Sequence, residues 1–230
     1  LSMPEDPGFF REFVNVPVES LLPLPPDLSF EEGTLFEPLA VVVHSMKFVA
    51  LQPGETAVVF GTGPIGLMTI ALLRLSGARR IWAVEPVAAR RALALAMGAD
   101  AVLDPEGAAA QILADTGRRG VDVAIDCAAK GNSLNGCIAA TRNAGRVVVT
   151  GIPSDARVSI DFHTMRRKEL ALFNVRRSNR ESEIAIDLLR DHPARFRPLV
   201  THRFGLDGVQ HAFEMLERFE DGIAKAVIRP

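Results

Sequence analysis

Three glycines, Gly61, Gly63 and Gly66, lie at G-x-G-x-x-G spacing between a short apolar run and a helical pattern. In this arrangement the first glycine permits a tight turn, the second lets a pyrophosphate approach the backbone, and the third lets helix and strand pack closely. Pro64 follows at the first helical position, where its missing N–H costs nothing. Because the helix N-terminus offers free N–H groups and positive charge, the motif predicts a dinucleotide phosphate site. The same spacing also occurs in ordinary turns, so the prediction depends on the flanking strand and helix.

An acidic residue, Glu85, follows the second predicted strand, 19 residues after Gly66. A carboxylate at this position accepts hydrogen bonds from the adenosine ribose in Rossmann folds. It also repels a 2′-phosphate, so the sequence favours NAD over NADP as the cofactor. Arg90 and Arg91 lie close by and weaken this preference. The alternative interpretation is a solvated acid beside two surface arginines.

Strands and helices alternate along the part of the chain that would position these residues. Strands are predicted at 56–60, 81–84, 101–103, 121–125 and 146–150, and helices at 64–76, 88–97, 106–116 and 132–142. Short apolar segments at 157–160 and 170–175 predict further edge strands. Such βαβ alternation with strands rich in Val, Ile and Leu implies an α/β fold, a doubly wound six-stranded parallel sheet with helices on both faces.

The flanking chain has a different pattern. Residues 9–24 alternate like a strand but are broken by prolines at 17 and 23, with two more at 25 and 26, which is typical of the tail of a β-rich domain. Ser29 and Glu32 have capping-box spacing at the start of a helix that extends to about Val49, with an interruption near Pro38. Beyond residue 179, helices are predicted at 181–190 and 207–218, and strands at 198–204 and 224–229.

The composition argues against several classes of function. The 230 residues are 48% hydrophobic, enough for a large core, and the net charge of −2 gives no reason to expect nucleic acid or an anionic membrane as a partner. No apolar run approaches the roughly 18 residues of a membrane span. Cys127 and Cys137 make neither a disulfide framework nor a zinc finger, and we expect both to be small buried residues. A soluble cytoplasmic protein is the expectation.

Several motifs, taken in order along nearly the whole chain, resemble the zinc-type medium-chain dehydrogenases. They are Glu37-Pro38-Leu39-Ala40, His44, the glycine loop, Glu85 with Arg90, Gly98-Ala99-Asp100, Gly151-Ile152-Pro153, residues 200–204 and residues 225–228. The similarity is greatest to the sorbitol-like polyol and threonine dehydrogenase branch. It implies an NAD-dependent oxidoreductase that transfers hydride between an alcohol, polyol or amino alcohol and nicotinamide, with zinc assisting in the intact parent.

The resemblance also implies a set of cofactor-binding residues. These are Gly61, Gly63, Pro64, Ile65, Gly66, Glu85, Arg90, Thr150, Gly151, Ile152, Arg176, Arg177, Ser178 and Lys225. The glycine loop and Lys225 would bind the phosphates, Glu85 and Arg90 the adenosine ribose, and the rest the nicotinamide side. Because neighbouring residues of a strand point to opposite faces, at most one of Arg176 and Arg177 is expected to be central. A solvated charge is the alternative for Lys225.

Glu37 is the residue that the resemblance places beside the catalytic zinc, directly or through water, although a helix-surface acid is the alternative. Catalytic zinc needs about three protein ligands, and the GroES-like domain that carries the others in the family has no counterpart in these 230 residues. The five histidines have no convincing metal-ligand spacing and are interpreted as structural: His44, His163, His192, His202 and His211. We therefore expect a fragment that binds the cofactor but is inactive alone.

Three segments follow from this interpretation. We expect residues 1–39 to be the C-terminal part of the GroES-like domain, 40–178 the NAD-binding Rossmann domain, and 179–230 the chain returning to the catalytic domain. Segment 170–175 would otherwise be an exposed apolar edge, which predicts a homodimer or homotetramer. Two alternatives remain: a zinc-free reductase of the same superfamily, against which Glu37 argues, and a catalytically inactive NAD-binding module.

Overall fold

A six-stranded parallel sheet forms the centre of the protein, which we describe for residues 8–230 from a computed structural model. Its strands are β1 Thr56–Phe60, β2 Arg80–Val84, β3 Ala101–Leu103, β4 Val121–Asp126, β5 Thr141–Val149 and β6 Ala171–Asn174. Their spatial order is β3-β2-β1-β4-β5-β6, and all five pairings are parallel. This confirms the predicted doubly wound α/β fold.

Ten α-helices surround the strands within the described residues. They are α1 Phe30–Gly33, α2 Phe36–Val49, α3 Pro64–Leu75, α4 Ala88–Met97, α5 Ala108–Asp115, α6 Ser133–Ala140, α7 Phe162–Arg167, α8 Ser182–Asp191, α9 Pro193–Phe196 and α10 Val209–Arg218. Side chains of β1 divide between two hydrophobic clusters: Ala57 and Val59 join one with α2, α3, α4 and α8, while Val58 and Phe60 join the other with α5 and α6. Both sheet faces are therefore covered, which explains the continuous apolar strands.

The predicted capping box is present at the start of α1. Ser29 Oγ accepts a hydrogen bond from the N–H of Glu32 at 3.2 Å, and Glu32 Oε2 accepts one from the N–H of Ser29 at 2.9 Å. The helix does not run unbroken to Val49, because α1 ends at Gly33 and α2 starts at Phe36. The interruption thus precedes Pro38, which lies in the first turn of α2, where proline is tolerated.

Two strand predictions are wrong. Among residues 8–24 there is no strand; the segment holds one 3₁₀ turn, Val18–Ser20, and most of its apolar side chains, including Phe13, are exposed. Its prolines remove the N–H donors that a ladder needs. Residues 157–160 are also irregular, whereas 170–175 does contain the edge strand β6. The expected β-rich remnant before residue 40 is therefore not seen in the described part.

The C-terminal segment forms a separate two-stranded parallel sheet from β7 Val200–Gly205 and β8 Lys225–Arg229, with α10 between them in the chain. Both strands and α10 lie close to their predicted positions. Glu31 of α1 pairs with Arg203 of β7 at 2.7 Å and also with Arg229 of β8. The chain before the large sheet thus contacts the chain after it, and the division into segments 1–39, 40–178 and 179–230 stays a prediction. No helix within residues 8–230 combines the length and apolar character that crossing a membrane requires.

Candidate dinucleotide-binding site

A cavity of about 720 Å³ opens at the carboxyl ends of the strands. The strand order reverses between β1 and β4, and open α/β sheets bind ligands in the crevice at this switch point. Four of the predicted cofactor residues line it: Gly61, Gly63, Glu85 and Arg90. Residues after β4, the starts of α5 and α6, and Phe219 complete the walls. The cavity therefore brings the glycine loop and the predicted ribose residues together.

The three glycines of the loop have different steric environments. Gly61 has φ +86° and a Cβ there would lie 2.8 Å from Ala128, while a Cβ on Gly66 would lie 1.9 Å from the carbonyl oxygen of Gly61. A Cβ on Gly63, by contrast, would meet no atom within 4 Å. The fold itself thus requires Gly61 and Gly66. Gly63 instead leaves open space at the cavity wall, which fits a ligand that approaches the backbone closely.

Helix α3 presents its N-terminus to the same place. Pro64 is its first residue, and Gly63 caps it without a side-chain hydrogen bond. The first helical turn therefore has N–H groups that no capping side chain satisfies. Together with the helix dipole, these groups suit a phosphate. Ile65 and Gly66 lie in this turn, and their contact with the cofactor stays a prediction.

Glu85 is almost completely buried, with 3% of its surface exposed. Its Oε2 atom accepts hydrogen bonds from the N–H and the hydroxyl of Thr62, each at 2.8 Å, and its Oε1 accepts one from the N–H of Val87 at 3.0 Å. The carboxylate thus links the glycine loop to the loop after β2. Sequence reasoning missed this structural role, which accompanies the predicted contact with ribose.

Arg90 and Arg91 are not equivalent surface residues. Arg91 turns away to pair with Asp104 at 2.6 Å. The guanidinium carbon of Arg90 lies 4.5 Å from the ring centre of Phe219, and its Nε is buried without a hydrogen-bond partner among the described residues. Arg90 therefore belongs to the cavity wall, and Phe219, which no sequence motif indicated, faces it there.

Asp126 is a second residue that sequence reasoning missed. It is buried at the end of β4, where Oδ1 accepts hydrogen bonds from the N–H groups of Ala128 at 3.0 Å and Ala129 at 2.9 Å. Its Oδ2 accepts one from the hydroxyl of Ser133 at 2.9 Å. The carboxylate thereby shapes the loop that closes the cavity beside Gly61. The signal available in the sequence was an acidic residue at the end of an apolar run, which could have indicated this role.

The predicted nicotinamide-side residues lie outside this cavity. Thr150 is buried, with its hydroxyl 2.8 Å from that of Ser45, whereas Ile152 is 91% exposed. Gly151 lies between them. Thr150, predicted as the last residue of the fifth strand, directly follows β5, and its N–H donates to the Asp126 carbonyl oxygen at 2.9 Å. These residues share the carboxyl end of the sheet with the glycine loop.

The placement of Arg176, Arg177 and Ser178 on the last strand is wrong, because β6 ends at Asn174. All three lie exposed in the loop that leads to α8. Arg177 has a left-handed backbone, with φ 55°, so the argument that neighbouring arginines face opposite sides of a strand does not apply. Val175, whose N–H donates to the Val149 carbonyl oxygen at 2.9 Å, is the last residue of this segment that hydrogen-bonds to the sheet.

This loop is anchored by Glu181, whose side chain is buried. The carboxylate accepts hydrogen bonds from Lys47 at 2.6 Å and from the N–H of Asn179, and lies 3.0 Å from His44 Nδ1. Burial alone raises the pKa of Glu181, but these hydrogen bonds outweigh it and lower the pKa to about 2. Because His44 and Lys47 belong to α2, the cluster ties the loop after β6 to the helix that begins beside Glu37.

Glu37 and Lys225 lie near each other, away from the cavity beside the glycine loop. Glu37 is exposed in the first turn of α2. Burial lowers the pKa of Lys225, and the nearby Glu37 carboxylate partly offsets this effect. Lys225 lines a second cavity of about 350 Å³ with Phe10 and Phe213. The structure therefore does not bring Lys225 to the phosphate end of the predicted cofactor site.

The described chain does not by itself fit a catalytic zinc ion. Within residues 8–230 there is no cluster of three or more His, Cys, Asp or Glu side chains with metal-binding geometry. Glu37 is thus a single candidate ligand where about three are needed. The Nδ1 atom of His202 lies 2.9 Å from Thr201 Oγ1. Burial raises the pKa of Cys127 to about 12, so that thiol is a poor metal ligand near neutral pH.

The strand order, the glycine loop and the cavity at the switch point define a Rossmann-type protein of the dinucleotide-binding class. Within this class, the chain belongs to the zinc-binding dehydrogenase family, because the model of that family, described as "Zinc-binding dehydrogenase", matches residues 64–191. This establishes the family that the sequence motifs resembled.

Curated relatives and solved structures agree with this assignment. The chain is 28% identical over 232 residues to sorbitol dehydrogenase of Bacillus subtilis (strain 168), covering 100% of this chain and 66% of the relative. It is 31% identical over 220 residues to sorbitol dehydrogenase of Homo sapiens, covering 94% and 61%. A structure of 2R,3R-butanediol dehydrogenase from Bacillus subtilis superposes with a TM-score of 0.81 at 32% identity, covering 90% and 60%. The chain thus spans less than two thirds of the length of these relatives.

A fourth similar protein was solved with a cofactor. It is a protein from Sinorhizobium meliloti 1021, described as a "putative zinc-binding dehydrogenase" and bound to NADP, with a TM-score of 0.86 at 27% identity, covering 97% of this chain and 66% of that one.

Proposed function

We propose that this chain forms the cofactor-binding part of an NAD-dependent oxidoreductase that acts on an alcohol or polyol. The observation that carries the proposal is the open space at Gly63, beside the uncapped N-terminus of α3 and within the cavity that Glu85 lines. Family membership supports a nicotinamide cofactor, and the relative that was solved with NADP supports its binding at this fold.

The substrate class rests on the relatives. They are named sorbitol, L-idonate 5- and 2R,3R-butanediol dehydrogenases, all of which act on compounds with a secondary hydroxyl group. We infer that an alcohol, polyol or amino alcohol is oxidised at such a group in the whole protein. A cytoplasmic location is a prediction, as are homodimer or homotetramer formation and the absence of nucleic-acid or membrane partners.

In this proposal the chain binds and orients the cofactor. The first-turn N–H groups of α3 hold the pyrophosphate, and Glu85 and Arg90 hold the adenosine ribose. Thr150, Gly151 and Ile152 would border the nicotinamide ring, and the bound cofactor would supply the hydride acceptor. The side chain of Ile152 is apolar and exposed, so the nicotinamide ring would have a surface on which to pack.

Zinc assistance belongs to the proposal for the whole protein. Family membership and the exposed Glu37 support it, with Glu37 beside the ion or its water. Since the described residues do not complete a zinc site, we derive no catalytic step through the metal.

Titration of the purified chain with NADH and NADPH, followed by fluorescence or calorimetry, tests the proposal. We expect saturable binding of both and tighter binding of NADH, because the Glu85 carboxylate repels a 2′-phosphate. Absence of NADH binding, or tighter binding of NADPH, would contradict it.

A second candidate function is an NAD-binding module without catalysis. The observation that favours it is the lack of a three-ligand metal cluster in residues 8–230. Assays of NAD reduction with sorbitol, threonine and 2,3-butanediol, together with zinc analysis of the same sample, test whether the chain alone is active. We expect the 24.9 kDa chain to bind the cofactor without turnover. Stoichiometric zinc and robust turnover would overturn that expectation.

A further inference from the structure

Phe219 reaches the cofactor cavity from the far end of the chain. It directly follows α10, 129 residues after Arg90 in the sequence, and both side chains line the cavity. The ring lies over the Arg90 guanidinium, with 4.5 Å between the guanidinium carbon and the ring centre. This distance is within the range of a cation–π contact.

The turn that carries Phe219 has an unusual backbone. Phe219 has φ 56° and Asp221 has φ 47°, the left-handed region in which bulky residues are rare. Glycine is the usual residue at this position after a helix. A phenylalanine here is therefore favoured by something other than the backbone, and its contact with Arg90 is the candidate. Across the turn, Gly222 sits against Ala89 of α4, where an added Cβ would lie 3.5 Å from that side chain.

Among the described residues, Arg90 makes no side-chain hydrogen bond or salt bridge that would fix its orientation. Its Nε is buried yet makes no hydrogen bond within the described chain, unlike Arg91, which pairs with Asp104. Arg90 lies in the first turn of α4, five residues after Glu85. The guanidinium therefore lies over the Phe219 ring, at the wall of the cavity that Glu85 also lines.

We propose that Phe219 is a positioning residue for the adenosine half of the dinucleotide, which it serves by holding the Arg90 guanidinium at the cavity wall. The inference rests on the proposed function of the cavity. It makes the C-terminal segment, outside the Rossmann motifs, part of the cofactor site.

Fragment binding to the full chain tests this role. Affinities are measured for NADH, for 5′-AMP as the adenosine half, and for nicotinamide mononucleotide as the other half. We expect Phe219→Leu to weaken the binding of NADH and of 5′-AMP by the same factor, roughly three- to tenfold, because a cation–π contact is lost. Nicotinamide mononucleotide binding stays unchanged, and Phe219→Tyr, which keeps the aromatic face, stays close to the parent chain.

Phe213→Leu is the matched control, because Phe213 is an exposed phenylalanine of α10 that pairs with Phe10 at the second cavity. It is expected to leave all three affinities unchanged. Should Phe219→Leu fail to fold, Arg90→Lys reports on the same contact, since it keeps the charge but loses the planar group. The Arg90→Lys variant is also expected to weaken the binding of 5′-AMP and to leave the binding of nicotinamide mononucleotide unchanged.

Two results would overturn the inference. One is unchanged 5′-AMP affinity in folded Phe219→Leu and Arg90→Lys. The other is an equal loss of affinity for 5′-AMP and for nicotinamide mononucleotide, which would indicate a general structural role. If the parent chain fails to bind NADH, the proposed function itself fails, and that outcome is distinct from both.

Discussion

Glu85 and Thr62 are joined by two hydrogen bonds of 2.8 Å that converge on a single carboxylate oxygen. Both residues are buried, so the acid after β2 fixes the position of the residue between the first two glycines of the loop. The carboxylate therefore combines a structural task with its proposed part in recognising ribose. Substitutions at this site should separate the two tasks when stability and affinity are measured together.

We expect Glu85→Gln to reduce the preference for NADH over NADPH. The amide removes the negative charge that repels a 2′-phosphate, but its oxygen still accepts a hydrogen bond from Thr62. Stability should fall by about 1–2 kcal/mol, because buried donors lose a charged acceptor. Titrations with both cofactors and a denaturation curve measure the two effects. An unchanged preference in a folded variant would show that Glu85 does not set it.

Alanine at Gly63 and at Gly66 should have opposite consequences. At Gly63 the new Cβ meets no atom within 4 Å, so the unfolding free energy should stay within about 0.5 kcal/mol of the parent. Dinucleotide affinity should fall, because the methyl group fills space that the pyrophosphate needs. At Gly66 the Cβ would lie 1.9 Å from the Gly61 carbonyl oxygen, so the chain should be severely destabilised. Thermal denaturation and NADH titration of both variants test this, and full NADH affinity in Gly63→Ala would contradict it.

Local sequence patterns predicted the large sheet well, because its strands are short apolar runs that alternate with helical patterns. The Ser29 and Glu32 capping box and the Gly61 turn depend on residues close in sequence, and both occur as expected. The glycine loop and Glu85 were found in the same way. The order of all six strands then follows from the doubly wound topology.

Features that depend on distant contacts were not predictable. Residues 9–24 alternate like a strand, but no neighbouring strand pairs with them in the described part. Arg176 and Arg177 were assigned to a strand that ends two residues earlier, because an apolar run does not mark where the ladder stops. The contact between Arg90 and Phe219 joins two ends of the fold, and neither residue belongs to a motif that indicates the other.

Glu181 should make the chain sensitive to acid. Its pKa is about 2 in the folded protein against an ordinary value of 4.5, so its ionised form stabilises the fold above about pH 4.5. This contribution is lost progressively as the pH falls from 4.5 toward 2. Glu181→Gln should cost about 1–3 kcal/mol at neutral pH, because Lys47 and Asn179 lose a charged acceptor.

The readout is the difference in unfolding free energy between parent and variant across this pH range. We expect the difference to shrink as the pH falls, whereas Glu183→Gln, at an exposed position in the first turn of the adjoining helix α8, should match the parent throughout. Acidic groups elsewhere, such as Glu32, affect parent and variant equally and cancel in the difference. A difference that stays constant from pH 6 to pH 3 would show that the Glu181 carboxylate is not the group that titrates.

The free edge of β6 should mediate pairing of two chains. Val175 donates its N–H to Val149 of β5, so by alternation the N–H of Asn174 points away from the sheet. Asn174→Pro removes that donor without taking a hydrogen bond from β5, and we expect it to weaken a two-fold dimer built on this edge.

Asn174→Ala is the matched control, since it removes the exposed side chain but keeps the N–H. Light scattering at micromolar concentration should give a dimer mass for the parent and for Asn174→Ala, and a lower mass for Asn174→Pro. A monomeric parent chain, or an unaffected proline variant that still binds NADH, would contradict pairing through β6.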